Sequence, residues 1–420
     1  MGVPRSRRRF LTDLAGGAIV LPAAVESLGG QTHSVSEGAA SDAFWEEIRH
    51  QISFREERVP MNAANLCPSP RVVAERVYTL TGDIDQDCSS QNRRKFQDLL
   101  EASRAKVAGA LGVTADEVAL VRNTSEANNI INNGLPLKTG DEVVVWDQNH
   151  PTNNVAWDVR AARFGLTVTR VATPVHPTGA DELVGVFERA LTPRTRVLAI
   201  THASNVSGIR LPVADLCEMA HRRGIHVHVD GAQSWGVLDV DLAALGCDSF
   251  TASAHKWFVG PKEVGLLYVK AEHIGRIWPN VVAPGWGSHV EPRPVGARKF
   301  ESMGQRDDAA LAAISTTADF HKRIGTARIE ARVTELATRL KEGLLDAGYA
   351  LLTPEEPALS AGVCVAAVER NRGALVNALY EEHGIAGAAT GGLRLCPHFY
   401  NTVAHIDRAV RGARALRSAV

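Results

Sequence analysis

From about residue 111 onward the chain alternates between short runs of β-branched and aliphatic residues and longer stretches with apolar positions at helical spacing. The short runs fall at 118–122, 142–146, 167–171, 196–201, 226–229, 249–252 and 265–269. Between most of them a 3.6-residue period predicts helices over 126–133, 153–164, 182–190 and 213–223. Near-continuous apolar strands joined by helical crossovers predict a mostly parallel sheet covered on both faces. The last two runs are joined by a short connection, so that pair is expected to be antiparallel. Seven such strands make one large α/β domain, and ligands of such sheets bind at the carboxyl ends of the strands.

Further along, the pattern changes. Residues 293–300 carry Pro and Gly and read as a linker. Two strongly helical stretches follow within 309–348, then a strand-like run at 362–368, a helical run at 374–382, a glycine-rich loop and a short apolar run at 393–395. This predicts a smaller α+β domain. Upstream, Phe44, Ile48 and Ile52 share a helical face, which predicts an amphipathic helix lying on the smaller domain or on a partner subunit. The expected organisation is a signal and linker over 1–40, an N-terminal helix over 41–60, a large α/β domain over 61–292 and the smaller domain over 293–420.

The N-terminal stretch has its own layout. A basic segment at 5–9 precedes an apolar run at 14–24, the arrangement of a secretory signal, and the run is too short for a stable membrane anchor. Residues 6–11, SRRRFL, resemble the twin-arginine export motif. The expectation is export of an already folded protein through that machinery, to the periplasm or the exterior. A net charge of −1 argues against a general affinity for nucleic acid, which would need a basic face. The six cysteines form no C-x-x-C pair and no zinc-finger spacing, so they are expected to be reduced core or loop residues.

Unusual polar clusters sit where the predicted strands end. NTSEANN follows the first strand, and its Thr124 and Ser125 open a helix whose free N–H groups attract an anion. DQNHPTNN follows the second, placing His150 before a proline at a helix start, as a surface residue or as a flat platform for a planar ligand. Asn205 lies in HASNVSG, a turn-like segment. Asp230 follows HVHV, and a carboxylate there is costly to bury without a partner. Lys256 follows Ser253-Ala254-His255 at another strand end, where desolvation eases loss of its proton and makes it a nucleophile. A cofactor with a ring nitrogen, an aldehyde and a phosphate uses all of these groups together. Pyridoxal 5'-phosphate is that cofactor: Asp230 would pair with the ring nitrogen, Lys256 would hold the aldehyde, and Thr124, Ser125 and the helix amides would bind the phosphate. Neither a G-x-G-x-x-G nor a G-x-x-x-x-G-K-[ST] loop is present, which argues against dinucleotide and P-loop enzymes.

NTSEANN, DQNHPTNNVAW, HASNVSG, HVDGAQSWG, TASAHKWFVGPKEVGLLYV, FESMGQRD and GGLRLCPHFYNT together resemble the class V aminotransferase superfamily of fold-type I pyridoxal phosphate enzymes, over residue 62 to the C-terminus. The last block favours the isopenicillin N epimerase-like branch. The resemblance implies a homodimer with the site at the subunit interface. It implies that Lys256 is the Schiff-base lysine and the acid–base at the substrate α-carbon. It implies that Asp230 pairs with the ring nitrogen, Gln233 with the phenolic oxygen, and Asn205 with that oxygen and the substrate carboxylate. His150 is implied to stack on the ring, Ser125, Ser253 and His255 to contact the phosphate with Thr124 beside it, and Arg394 to bind the substrate carboxylate.

Two positions depart from the family pattern. Gln305 stands where the family often has a threonine that reaches the partner subunit's phosphate. The loop GIAGAATGG lacks the nucleophilic cysteine of desulfurases, and Cys396 lies on the wrong side of Arg394, which argues against desulfurase activity. The resulting expectation is an enzyme acting at the α-carbon of an amino acid or amino-acid-containing compound, as an aminotransferase, with epimerisation or C–S β-elimination as alternatives. A non-catalytic pyridoxal phosphate-binding protein is the alternative of another class; it has no need of Lys256, Asp230 and Arg394 together.

Overall fold

The structure is a computed structural model that describes residues 41–283 and 294–417. The export motif at 6–11 and the apolar run at 14–24 lie outside the described residues. The predicted N-terminal helix is present as α1 (Asp42–Arg49), but it stops at Arg49 rather than reaching residue 60. Ile52, read as part of the same face, makes a bridge to Pro70 instead. The aromatic rings of α1 lie under arginines of a later helix: Arg332 stands 5.7 Å over Trp45 and Arg328 5.9 Å over Phe44. After β1 (Val59–Pro60) come α2 (Arg71–Gln86) and α3 (Lys95–Ala110). The sequence pattern missed α2, for a physical reason: it buries only Val73 and Leu80 and leaves Tyr78 in solvent.

The seven predicted strands are all present, as β2 (Val118–Val121), β3 (Glu142–Trp146), β4 (Thr167–Val171), β5 (Thr195–Thr201), β6 (His226–Asp230), β7 (Ser249–Ser253) and β8 (Gly265–Val269). The crossover helices are α4 (Thr124–Gly134), α5 (Pro151–Phe164), α6 (Ala180–Ala190) and α7 (Val213–His221). The sheet order is β2-β8-β7-β6-β5-β3-β4. β3 to β7 pair in parallel, and β8 runs antiparallel to both β7 and β2.

Alternation along these strands divides the interior in two. Leu120, Val144, Leu198, Val227, Val229 and Phe250 join one core, while Val121, Val143, Val145, Val197, Ala199 and Leu267 join another with Ile130, Ile131 and Trp157. Burial on both faces is why the strands read as continuous apolar runs. β6 and β7 are the exception. Their positions alternating with Val227, Val229, Phe250 and Ala252 are His226, His228, Asp230, Ser249, Thr251 and Ser253, all buried. A polar stripe therefore crosses the middle of the sheet, hidden in sequence by its apolar neighbours.

The segment read as a linker is packed from residue 294 on. Ala297 and Phe300 are buried in the second core, and Glu301 accepts the Leu120 amide at 2.7 Å. Next come α8 (Asp308–Ile324) and α9 (Thr326–Asp346), the two expected helices, broken at Gly325, whose φ of 94° suits glycine. Ala309 and Ala312 of α8 pack with Leu80 and Phe96, so this helix shares apolar contacts with α2 and α3. A further core gathers β9 (Cys364–Ala366), α10 (Arg372–His383), β10 (Ile385–Ala386), β11 (Leu393–Leu395) and α11 (Val403–Leu416). β9 and β11 pair antiparallel, and β10 pairs in parallel with β1 from the other end of the chain. The six cysteines are free, and all but Cys88 are buried. No helix among the described residues is long and apolar enough to cross a membrane.

Candidate active site

The carboxyl ends of β5, β6 and β7 lie side by side, because Thr201 is in register with Asp230 and Asp230 with Thr251. Beyond them is a cavity of about 240 Å³, and its lining includes Thr124, Ser125, His150, Asn205, Asp230, Gln233, Ser253, His255 and Lys256. Nine of the eleven site residues expected from the sequence are thus brought together. Arg394 and Gln305 are not in the lining.

Each group is positioned by its local structure. Asn123 caps α4 by accepting the Glu126 amide at 3.1 Å, which aims the helix start at the cavity. There the Ser253 hydroxyl accepts the Thr124 amide at 2.8 Å and meets the Thr124 hydroxyl at 2.6 Å. Amides and hydroxyls gathered at the start of an eleven-residue helix form a site for an anion. His150 caps α5 ahead of Pro151, and its Nδ1 accepts the Thr152 amide at 3.3 Å. Its pKa is lowered by partial desolvation and, to a smaller extent, by the nearby Lys256 charge.

Asp230 is 1% exposed. Its oxygens accept from Asn128 Nδ2 at 2.8 Å and from the Ala232 amide at 3.0 Å. Both donors are neutral, so the carboxylate has no cationic hydrogen-bond partner among the described residues. Lys256 follows β7 in a tight turn, closed by the Val259 amide on its carbonyl at 2.9 Å. Val259 has a φ of 49°, a strained value for a β-branched residue. Burial lowers the Lys256 pKa; Asp230 acts against that shift and Arg394 adds to it. His255 is held down to about 4, mainly by burial, with Lys256 and Lys262 adding to it.

Gln233 gives one amide hydrogen to the Ala64 carbonyl at 3.0 Å and accepts from Trp257 Nε1 at 2.7 Å, which leaves one N–H for a ligand. Arg394 is buried on β11 and donates to the Asn205 carbonyl at 2.9 Å and to Asn62 Oδ1 at 3.0 Å. Its Nε has no partner among the described residues. Gln305 is exposed, with its amide on the Arg306 carbonyl at 2.8 Å. No cysteine lines the cavity, and burial pushes the Cys67 thiol up to about 12.

Three contributors escaped the sequence reading. Asn128 holds Asp230; its one signal is its place one helical turn after Thr124. Thr201 donates to the Asp230 carbonyl at 3.0 Å. Asn62 orients Arg394 from 332 positions away, which no sequence pattern reveals.

The donor set fits pyridoxal 5'-phosphate. The buried carboxylate has no cationic hydrogen-bond partner among the described residues, and a protonated ring nitrogen would supply one; the lysine suits an aldehyde; and the α4 start suits a phosphate.

Comparison with known proteins agrees with this geometry. The aminotransferase class-V profile matches residues 72–412. An isopenicillin N epimerase of Amycolatopsis lactamdurans is 31% identical over 392 residues, covering 89% of this chain and 98% of that protein. A probable cysteine desulfurase of Xylella fastidiosa is 34% identical over 256 residues, covering 58% of this chain and 59% of its own length. Among solved structures, a lysine mutant of C-DES with glycine covalently linked to its PLP cofactor superposes with a TM-score of 0.79 at 25% identity, covering 87% of this chain and 98% of the other. The chain belongs to the class V aminotransferase family.

Proposed function

We propose that this chain removes the α-proton of an amino acid, or of an amino-acid-containing compound, with Lys256 as the base. It is a pyridoxal 5'-phosphate enzyme of its family, and the cofactor supplies the electron sink that makes the α-C–H acidic. The observation that carries the reading is the buried Asp230 carboxylate, held by neutral donors only, at the same cavity as a desolvated lysine. Asp230 would hold the ring nitrogen, Gln233 and Asn205 the ring oxygen, and Thr124, Ser125, Ser253 and His255 the phosphate. His150 would cover the ring. Arg394 would orient the substrate carboxylate, so that the α-hydrogen faces Lys256.

Among the outcomes open to such a proton transfer, the residues of this chain favour transamination. One amine can take the proton and return it on the same face. Epimerisation requires a second acid on the other face, and the pKa values of His150 and His255, the histidines in the lining, are both shifted down, away from the acid form. Epimerisation remains the second reading, supported by similarity to the epimerase along nearly its whole length. A desulfurase reaction through a cysteine has no thiol at the cavity to use.

Amino acid added to the loaded enzyme without a keto acid tests the choice. Transamination bleaches the cofactor's visible absorption lastingly and releases one equivalent of keto acid. Recovery of the absorption with inverted substrate supports epimerisation. Retention of the α-hydrogen in deuterated water with every amino acid and peptide tried would sink the proposal.

The exposed Gln305, outside the cavity of its own chain, supports a homodimer in which it reaches the partner's phosphate. A monomer by light scattering would refute this. The SRRRFL motif supports export of the folded, loaded protein. Unchanged export after the double change Arg7→Lys, Arg8→Lys would refute that.

A further inference from the structure

The polar stripe of β6 and β7 leads away from the cavity to the opposite edge of the sheet. There His226 opens β6, Asp248 precedes β7 and His273 lies just after β8. His226, His273 and the Asp248 carboxylate each offer a ligand atom, and these atoms lie within 4.8 Å of one another. His273 Nε2 is 2.9 Å from Asp248 Oδ1, and His226 Nδ1 is 3.8 Å from Asp248 Oδ2.

The hydrogen bonds along the stripe fix where the protons are. Asn128 Nδ2 donates to Asp230, so Asn128 Oδ1 is an acceptor, and His228 Nε2, 3.0 Å away, carries its hydrogen. Neutral His228 then accepts at Nδ1, taking the Ser249 hydroxyl hydrogen at 2.9 Å. Ser249 has no second hydrogen to give, so His226 Nε2 donates to it at 3.1 Å. With its hydrogen on Nε2, His226 presents a lone pair on Nδ1. That atom has no hydrogen-bond partner, its side chain is 2% exposed, and it faces a carboxylate oxygen, acceptor against acceptor. A cation between them turns this opposition into attraction.

We propose that His226 Nδ1, Asp248 and His273 Nε2 bind one divalent transition-metal ion of the zinc class. Two imidazole nitrogens and one carboxylate suit such an ion better than magnesium or calcium, which take oxygen ligands. His273, 19% exposed, can exchange its Nε2 hydrogen for one on Nδ1 through solvent and so free a lone pair. His221 Nε2, 3.0 Å from Asp248 Oδ2 and 37% exposed, holds the carboxylate from the solvent side. The Val227 amide, 2.7 Å from the same oxygen, fixes the carboxylate from behind.

The test uses untagged, cofactor-loaded, full-length protein stripped with a chelator and titrated with zinc chloride by calorimetry. One equivalent per chain is expected, with affinity lowered on the order of 100-fold in His273→Ala. X-ray absorption of the zinc-loaded wild type should show imidazole nitrogen and oxygen around the metal and no sulfur. This second measurement decides the matter if His273→Ala does not fold. Absence of stoichiometric binding, binding unchanged in His273→Ala, or sulfur from the nearby Cys217 or Cys247 in the shell would each overturn the proposal.

Discussion

Asp230 and His226 stand at the two ends of β6, on the same face of the sheet and almost wholly buried. At the carboxyl edge the chain leaves a cavity beside Asp230, with a lysine on the neighbouring strand end and a helix start pointing inward. At the amino edge His226 is closed in by the His273 ring, with centroids 5.2 Å apart, and by Asp248. The hydrogen-bonded residues Asn128, His228 and Ser249 join the two ends. The contrast teaches that burial alone does not make a reactive site. Both edges hold desolvated titratable groups; only the carboxyl edge adds room for a substrate beside a lysine.

The largest effect should come from Lys256→Ala, which removes the base. Exchange of the substrate α-hydrogen in deuterated water should fall by on the order of 10³- to 10⁴-fold. Exchange within ten-fold of wild type would end the assignment.

Arg394→Lys keeps the charge but loses the planar fork. A drop in kcat/KM of roughly 10- to 100-fold is expected, carried mainly by KM, from the loss of a charge-assisted hydrogen bond worth about 1.5–3 kcal/mol. A change confined to kcat would show that Arg394 does not hold the substrate.

Just past the carboxyl edge, Gly231→Ala places a Cβ 1.8 Å from Phe250 Cζ. The ring is fixed in the core, so a loss of about 1–3 kcal/mol in denaturant titration is expected. An unchanged midpoint would mean that the core around Phe250 is loosely packed.

The amino edge should report through pH. His226 and His228 have folded pKa values lowered from 6.5 to about 3, with burial as the main cause. The unfolded chain therefore binds more protons between these values, and stability rises with pH across that window. As pH falls from 6.5 toward 3, each should cost up to about 1.4 kcal/mol per pH unit. Urea titrations at pH 7 and 5 would measure it. A flat profile would contradict the burial of neutral rings along the stripe.

The smallest effect should be that of Thr152→Val, which removes the hydroxyl 2.8 Å from His150 Nδ1 and leaves the amide donor in place. Loss of one such hydrogen bond, about 1 kcal/mol, predicts a few-fold fall in kcat/KM. A fall as large as that of Arg394→Lys would give His150 a larger part than covering the ring.

The sequence by itself determined the strand and helix alternation, the antiparallel pairing of β7 with β8, and nine of the cavity residues. Those features are local: each strand is a short apolar run, and each polar group sits within a few residues of a strand end. What escaped reading was set by distant contacts or by averaging. Residues 226–229 read as apolar because Val227 and Val229 mask the buried histidines between them. The end of α1 at Arg49, the packing of residues 294–301 against β2 and the pairing of β1 with β10 depend on partners far along the chain. The tertiary structure alone placed Asn128 against Asp230, Asn62 against Arg394, and His226, Asp248 and His273 together. Strand order decides such meetings, because residues brought side by side by a sheet carry no shared period in the sequence.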